Sequence, residues 1–281
     1  MIRHFALENE LGQRWDLDSL ATGFFYEPQG LGYAMEQSYN RVGTNWIRNY
    51  FRDTQTTISG TVVFGTEQPY VAFADFNAYV NGSQQLKLIY ETDAGEYLKD
   101  IDVVKMDKSE INHERHTLDV AVEFLSTGLY YQNYFDRYII QPVEGEVRWD
   151  FRWPARFNDY LNREMRVVND GHVEAAFMAE INGYAQNPVI DITVNNVRVQ
   201  HVRIPVILEN GDILYYSSVD GNLFCYVVRA NHSQVNLVPN LDITNKNFFK
   251  IPVGESVVEF SSDTDATNRV ALTVYKYFRT V

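Results

Sequence analysis

The sequence has almost no cysteine: Cys225 stands alone among 281 residues, so no intrachain disulfide can form and a disulfide-stapled secreted scaffold is excluded. Long apolar runs are missing too. Nowhere do about 18 apolar residues follow one another, the length a membrane-crossing helix needs, and residues 1–9 contain no signal-peptide core. The expectation is a soluble chain made in a cytoplasm, with no membrane partner. Positive charge is scarce as well. Against 37 acidic residues stand 24 basic ones, leaving a net charge of −13, which repels a phosphate backbone. Sequence-specific nucleic-acid recognition is not expected.

Catalytic fingerprints are equally thin. No GxSxG, Walker, HExxH or glycine-rich dinucleotide motif occurs. His113 and His116 lie three apart with Glu110 and Glu114 nearby, a spacing that could gather metal ligands on one helical turn. No further ligand pattern completes that set and the segment leads into a strand, so it reads as a polar connecting loop. Cys225 falls in the apolar run 223–228 and reads as a small buried hydrophobe rather than a nucleophile. Glycoside hydrolysis needs two carboxylates held about 5–10 Å apart, a separation that sequence does not reveal. No catalytic residue, metal or cofactor is assigned, and the chain is expected not to be an enzyme.

What the sequence does have is strand material. With 45% hydrophobic and 22% charged residues it reads as an ordered globular protein. Its 19 Tyr and 17 Phe, with recurrent Val, Ile and Thr, favour pleated, half-buried surfaces over helices. Alternation places Ile58, Gly60, Val62 and Phe64 on one strand face, and Leu118, Val120, Val122 and Phe124 on another. Later sets are Val173, Ala175, Phe177, Ala179, Ile181 and then Val270, Leu272, Val274. One stretch, about 69–80, carries Tyr70, Phe73, Phe76 and Val80 at helical spacing. Thr66 is the expected N-cap, and Asn81-Gly82 the expected left-handed stop. Hairpin turns are expected at Asp93-Ala94-Gly95, Asn169-Asp170-Gly171, Asn210-Gly211-Asp212 and Asp220-Gly221-Asn222. The fold class is therefore all-β with one short helix, in a sandwich or barrel arrangement.

Length supports two cores. Residues 130–154 lose sustained alternation, so the boundary is placed there, giving domains 1–140 and 141–281, with Trp149 and Trp153 anchoring the linker.

The order of motifs resembles one family, the distal tail proteins of siphophages. Phe5-Ala-Leu-Glu-Asn-Glu-Leu-Gly-Gln13 is followed by Trp15-Asp16-Leu17, Leu31-Gly32-Tyr33, Tyr39 and Val42-Gly43. Ile58-Ser59-Gly60, Val63-Phe64, the aromatic helix, Leu86, Tyr90 and Lys108-Ser109-Glu110 continue the first half. In the second half the similarity lies in Val168-Asn169-Asp170-Gly171-His172, Asn182-Gly183-Tyr184, Asn187-Pro188 and Ile251-Pro252-Val253-Gly254-Glu255. The resemblance implies an amino-terminal β-sandwich or split-barrel domain that closes into a hexameric ring through an extended arm, and a galectin-like β-sandwich as the carboxyl domain. It also implies partners: the major tail protein of the tube, the tail-tip hub with its tail-associated lysin, and further baseplate or receptor-binding proteins. The location it implies is the virion tail tip, assembled in the bacterial host cytoplasm.

The arm is placed at about residues 31–52, where Leu31, Tyr33, Tyr39, Trp46, Ile47 and Tyr50 form the candidate oligomer interface. Two readings of these residues stand side by side: packing against a neighbouring subunit, or filling their own domain's core. The rival function is a carbohydrate-binding sandwich for host adhesion, with Trp149, Trp153, Tyr215 and Tyr216 available as an aromatic platform. Against it, no His-x-Asn-x-Arg stretch of galectin type occurs.

Overall fold

The computed structural model describes residues 3–132, the backbone of 136–140, and residues 164–264 and 269–281. Trp149 and Trp153 lie outside them. The chain divides into two compact units, Met1–Asn133 with Tyr277–Val281, and Tyr134–Lys276.

The first unit contains β1 (His4–Asn9), β2 (Arg14–Asp16), β3 (Asp18–Ser19), β4 (Gly23–Gln29), β5 (Ala34–Val42), β6 (Asn45–Thr54), β7 (Thr57–Phe64), α1 (Pro69–Gly82), β8 (Leu86–Thr92), β9 (Gly95–Lys108), β10 (Leu118–Ser126) and β11 (Tyr130–Tyr131). Its main sheet runs β2-β1-β8-β9-β10-β7-β4-β3 and ends on two different edge strands, so it stays open rather than closing as a barrel. The alternation read from sequence is its core. Ile58, Val62 and Phe64 of β7 face inward with Leu118, Val120, Val122 and Phe124 of β10, all of them buried. Gly60 completes the inward set for a steric reason: a Cβ there would meet Phe25 Cε2 at 2.5 Å. Phe25 fills the place that a side chain at 60 would need.

Helix α1 lays its aromatic stripe on this sheet. Phe76 is buried against Phe64 at 5.8 Å and Trp15 at 5.8 Å between ring centroids. Tyr70, expected in that stripe, is exposed instead and donates a hydrogen bond to Glu110 Oε2 at 2.6 Å. Both expected caps are corrected. The N-cap is Gln68, while the Thr66 hydroxyl accepts the Gln68 N–H one turn early at 3.2 Å. Gly82 continues the helix rather than stopping it left-handed. Ser83, in extended conformation, ends the helix and donates through Oγ to the Tyr79 carbonyl at 2.8 Å.

The second unit contains β12 (Asp136–Ile140), β13 (Glu164–Asn169), β14 (Ala176–Asn182), β15 (Ala185–Gln186), β16 (Val189–Val194), β17 (Val197–Arg203), β18 (Ile207–Leu208), β19 (Ile213–Val219), β20 (Asn222–Val228), β21 (Gln234–Asn236), β22 (Gly254–Ser261) and β23 (Arg269–Tyr275). A six-stranded sheet β12-β23-β14-β19-β20-β21 and a four-stranded sheet β13-β22-β16-β17 contribute side chains to one continuous core, which defines a β-sandwich. Phe177, Ala179, Ile181, Val270, Leu272 and Val274 enter from the first sheet and Ile190, Ile192, Val258 and Phe260 from the second. Cys225 is wholly buried among them, and burial pushes its thiol pKa up to about 12. The strand β24 (Tyr277–Phe278) then pairs with β11 of the first unit. Relative to the boundary placed at 140/141, β12 joins the second unit and β24 the first.

Two of the four expected hairpins are hairpins. Gly95 (φ 135°) and Gly221 (φ 75°) turn β8 into β9 and β19 into β20. The other two need correction, because their flanking strands do not pair. Asn169-Asp170-Gly171 carries the chain from one sheet of the sandwich to the other. Buried Asn169 fastens the crossing, donating to the Val173 and Ile251 carbonyls at 2.9 and 3.1 Å. Asn210-Gly211-Asp212 likewise leads from β18, which pairs β15, into β19. There the Asp212 carboxylate accepts from Glu209 N, Ala230 N and Arg229 Nη1, which hold its pKa below the usual range against the opposing effect of burial.

The Gly60 contact gives a direct stability test. Gly60→Ala is expected to destabilise the full chain by about 1–3 kcal/mol, the usual cost of overpacking a filled core, measured by urea unfolding. An unchanged midpoint would mean that Phe25 yields without strain.

Candidate assembly interface

Strands β5 and β6 form a two-stranded ribbon that pairs with nothing else in the chain. Gly43-Thr44 is its two-residue loop, with Gly43 at φ 63°; glycine at the first loop position gives a turn whose twist matches that of the strands. The pairing runs from Val42↔Asn45 to Ala34↔Thr54 and shifts between Ser38 and Tyr39, leaving Asn49 as a bulge. The bulge redistributes the faces. Tyr39, Trp46 and Phe51 fall on one side, with Val42, Ile47 and Tyr50 on the other. Each face is thus partly apolar.

Neither face is covered. Trp46 is 67% exposed, Ile47 53% and Tyr33, just before the ribbon, 54%; Tyr39, Val42, Tyr50 and Phe51 are exposed too. Among the described residues these side chains do not fill their own domain's core. Leu31 differs from the other five expected interface residues, packing half-buried against the first unit's core. Polar contacts stiffen the ribbon. Glu36 accepts from Tyr50 Oη at 2.9 Å and from Arg52 Nε at 2.8 Å, and those bonds hold its carboxyl below the usual range. The guanidinium groups of Arg48 and Arg52 lie over the Phe51 and Tyr50 rings. An isolated two-stranded ribbon is marginal in water, so these contacts and the tight turn carry its conformation.

At the ribbon's root Asp53 of β6 is clasped by Arg279, with Nε to Oδ1 at 2.8 Å and Nη2 to Oδ2 at 3.3 Å. Both line a cavity of about 190 Å³ with Lys99 of β9. Lys99 is only 2% exposed. Desolvation lowers its pKa from the ordinary 10.5 to about 8. Sequence reading passed over Lys99, although it interrupts the inward set Tyr97, Lys99, Ile101, a polar intrusion that alternation could have flagged.

The remaining sequence candidates are dispersed. Tyr216 is buried, donating to the Asn247 carbonyl at 2.8 Å, and Tyr215 stacks on Tyr226, so the two do not form one exposed platform. His113 and His116 lie in an exposed turn between Asn112 and Thr117. The described residues hold no group of three His, Cys, Asp or Glu placed to share a metal ion, and no described helix is long and apolar enough to cross a membrane.

These features define a class: an all-β chain of two units whose first unit presents an uncovered ribbon suited to a protein partner. Residues 4–127 match the family model of the distal tail protein N-terminal domain, and through that domain the chain belongs to the distal tail protein family. Its fold is similar across both units to solved phage proteins. A chain of the phage P2 baseplate in its Ca-bound activated conformation aligns at a TM-score of 0.61 and 14% identity, covering 100% of both chains. The Dit protein of phage SPP1, described as a paradigm of the hub adsorption apparatus in phages infecting Gram-positive bacteria, aligns at 0.64 and 9% identity over 96% of this chain and 98% of its own. No curated protein matches the chain in sequence.

Lys99 yields a pH prediction. Its folded pKa, about 8, lies below the unfolded value near 10.5, so between those values the folded chain binds fewer protons than the unfolded one. Stability therefore rises with pH through that window, and the cost of the buried charge is felt in full below it. Urea midpoints from pH 8 to 9.5 are expected to rise more steeply for wild type than for Lys99→Met, which keeps the stem and removes the charge. Parallel slopes would refute a buried, charged Lys99.

Proposed function

We propose that the chain is a virion structural protein, the distal tail hub of a phage, six copies of which close into a ring. The ring joins the tail tube to the tail-tip or adhesion apparatus and leaves a channel for DNA. One observation carries this reading: within the distal tail N-terminal domain, the β5–β6 ribbon exposes Tyr39, Trp46, Ile47, Tyr50 and Phe51 with no cover from its own chain. Such a surface is expected to be buried on assembly. In the ring each ribbon, led by Tyr33, clasps the neighbouring subunit, while Leu31 holds its base to the parent domain.

The partners follow from that position: the major tail protein on one side, the tail-associated lysin or tail-tip hub on the other, and further baseplate or receptor-binding proteins around it. The second unit is the galectin-like half in this reading. The work is assembly at the virion tail tip, after synthesis in the host cytoplasm, rather than catalysis. The net charge of −13 suits a lumen that repels DNA and lets it slide.

Light scattering behind size-exclusion chromatography tests the ring. Six copies of 32.6 kDa give 6 × 32.6 = 195.6 kDa, and negative-stain images of that peak should show a closed ring. The double variant Trp46→Ser/Ile47→Ser is expected to lose the ring and to keep the thermal midpoint of the dissociated wild-type chain. Wild type that stays at 32.6 kDa at high concentration would overturn the proposal.

A further inference from the structure

Strand β9 carries Lys99 on the same side as Tyr97 and Ile101, both buried. An ammonium group has three hydrogens to donate. One goes to Thr56 Oγ1 at 3.2 Å, and the Tyr130 ring lies 4.4 Å from Nζ. The ring offers its electron-rich face, and the buried Tyr130 hydroxyl has no hydrogen-bond partner. No carboxylate answers the lysine. The acid in the cavity wall, Asp53, is already held by Arg279, and the other lining residues, Tyr33, Thr54, Gln55, Ser126 and Thr127 among them, carry no charge. A buried ammonium that lacks a counter-charge is costly, and removing one partner of a buried pair leaves this situation behind. With Lys99 and Arg279 against Asp53, the cavity holds one unmatched positive charge.

We infer that the cavity beside Lys99 is a binding site for a carboxylate, which pairs with the lysine Nζ and completes its hydrogen bonds. The volume, about 190 Å³, suits a small organic acid or a single acidic side chain and not a nucleotide. Two sources share that chemistry: a free carboxylate, or an Asp or Glu of a second copy reaching the root of the ribbon. This site does not depend on the ring reading, although the second source would connect the two.

The test uses the full chain, with acetate as the probe and chloride holding ionic strength constant at pH 7. Acetate at several times its dissociation constant is expected to raise the wild-type thermal midpoint by about 1–3 °C and to leave Lys99→Met unmoved. NMR of the lysine ε-methylene groups supplies a readout that needs no variant to fold: one lysine should titrate near pH 8, and acetate should move that midpoint upward. Sedimentation equilibrium without acetate then separates the sources. Self-association weakened about tenfold in Lys99→Met, the effect of losing roughly one good ion pair at an interface, assigns the carboxylate to a neighbouring copy. Unchanged association alongside an acetate response assigns it to a free acid. A chain that never associates removes the ring reading and leaves the acetate response to decide this one. If acetate moves neither the NMR midpoint nor the wild-type melting temperature, the site does not exist.

Discussion

The first unit is closed by two residue pairs far apart in sequence, Tyr130 with Phe278 and Tyr131 with Tyr277. Phe278 meets Tyr97 edge-on at 5.3 Å, and with Tyr130 they form a small buried cluster of their own. The next residue, Arg279, reaches Asp53 at the ribbon's root. Tyr130 in turn supplies the ring face beside Lys99. One short strand pairing thus positions the aromatic cluster, the clasp on the ribbon and the wall of the cationic cavity. In chain order the second unit is an insertion between β11 and β24. Its own pairing of Asp136 with Val274 brings its two ends side by side. The entropy of joining Tyr130 to Phe278 is then that of closing a short loop rather than of spanning the whole intervening unit.

Much of the fold was legible because burial on one side of a strand leaves a period of two in the sequence. The inward sets of β7, β10, β14 and β23 were read residue by residue, and Gly60 belonged to its set even though it has no side chain. What the residues do not encode locally is partnership. Asn169-Asp170-Gly171 has the composition of a hairpin turn, but turn residues report backbone angles and not which strand comes next in the sheet. The same limit applies to the helix ends. Asn81-Gly82 tolerates a left-handed stop without requiring one, and Ser83 could reach the Tyr79 carbonyl one residue later. Helix and stripe were legible, whereas Tyr70 was misplaced, because a carboxylate at 110 competed for its hydroxyl.

The ribbon shows the same limit at the site. Five of the six residues singled out there lie on or next to it, yet aromatic side chains at alternating positions look alike whether they face a core or a partner. The bulge at Asn49 makes the difference. Without it, alternation would gather the apolar residues differently across the two strands. With it, Tyr39, Trp46 and Phe51 take one face and Val42, Ile47 and Tyr50 the other, a division that a period of two does not predict.

A ribbon apolar on both faces is not satisfied by folding back onto its own sheet, since that would cover one face and leave the other wet. Burying both requires insertion between two surfaces, or a groove that wraps the ribbon, and the single chain supplies neither. Edge strands that expose unpaired backbone and apolar side chains invite unspecific pairing, which proteins counter with charge. Arg41, Arg48, Arg52 and Glu36 are interleaved along these strands, and two of the guanidinium groups lie over the aromatic rings beside them. Those charges keep the uncovered ribbon soluble and in one register. They also restrict it to a partner that can meet cations and aromatic rings together, which makes the ribbon a specific docking element rather than a merely adhesive one.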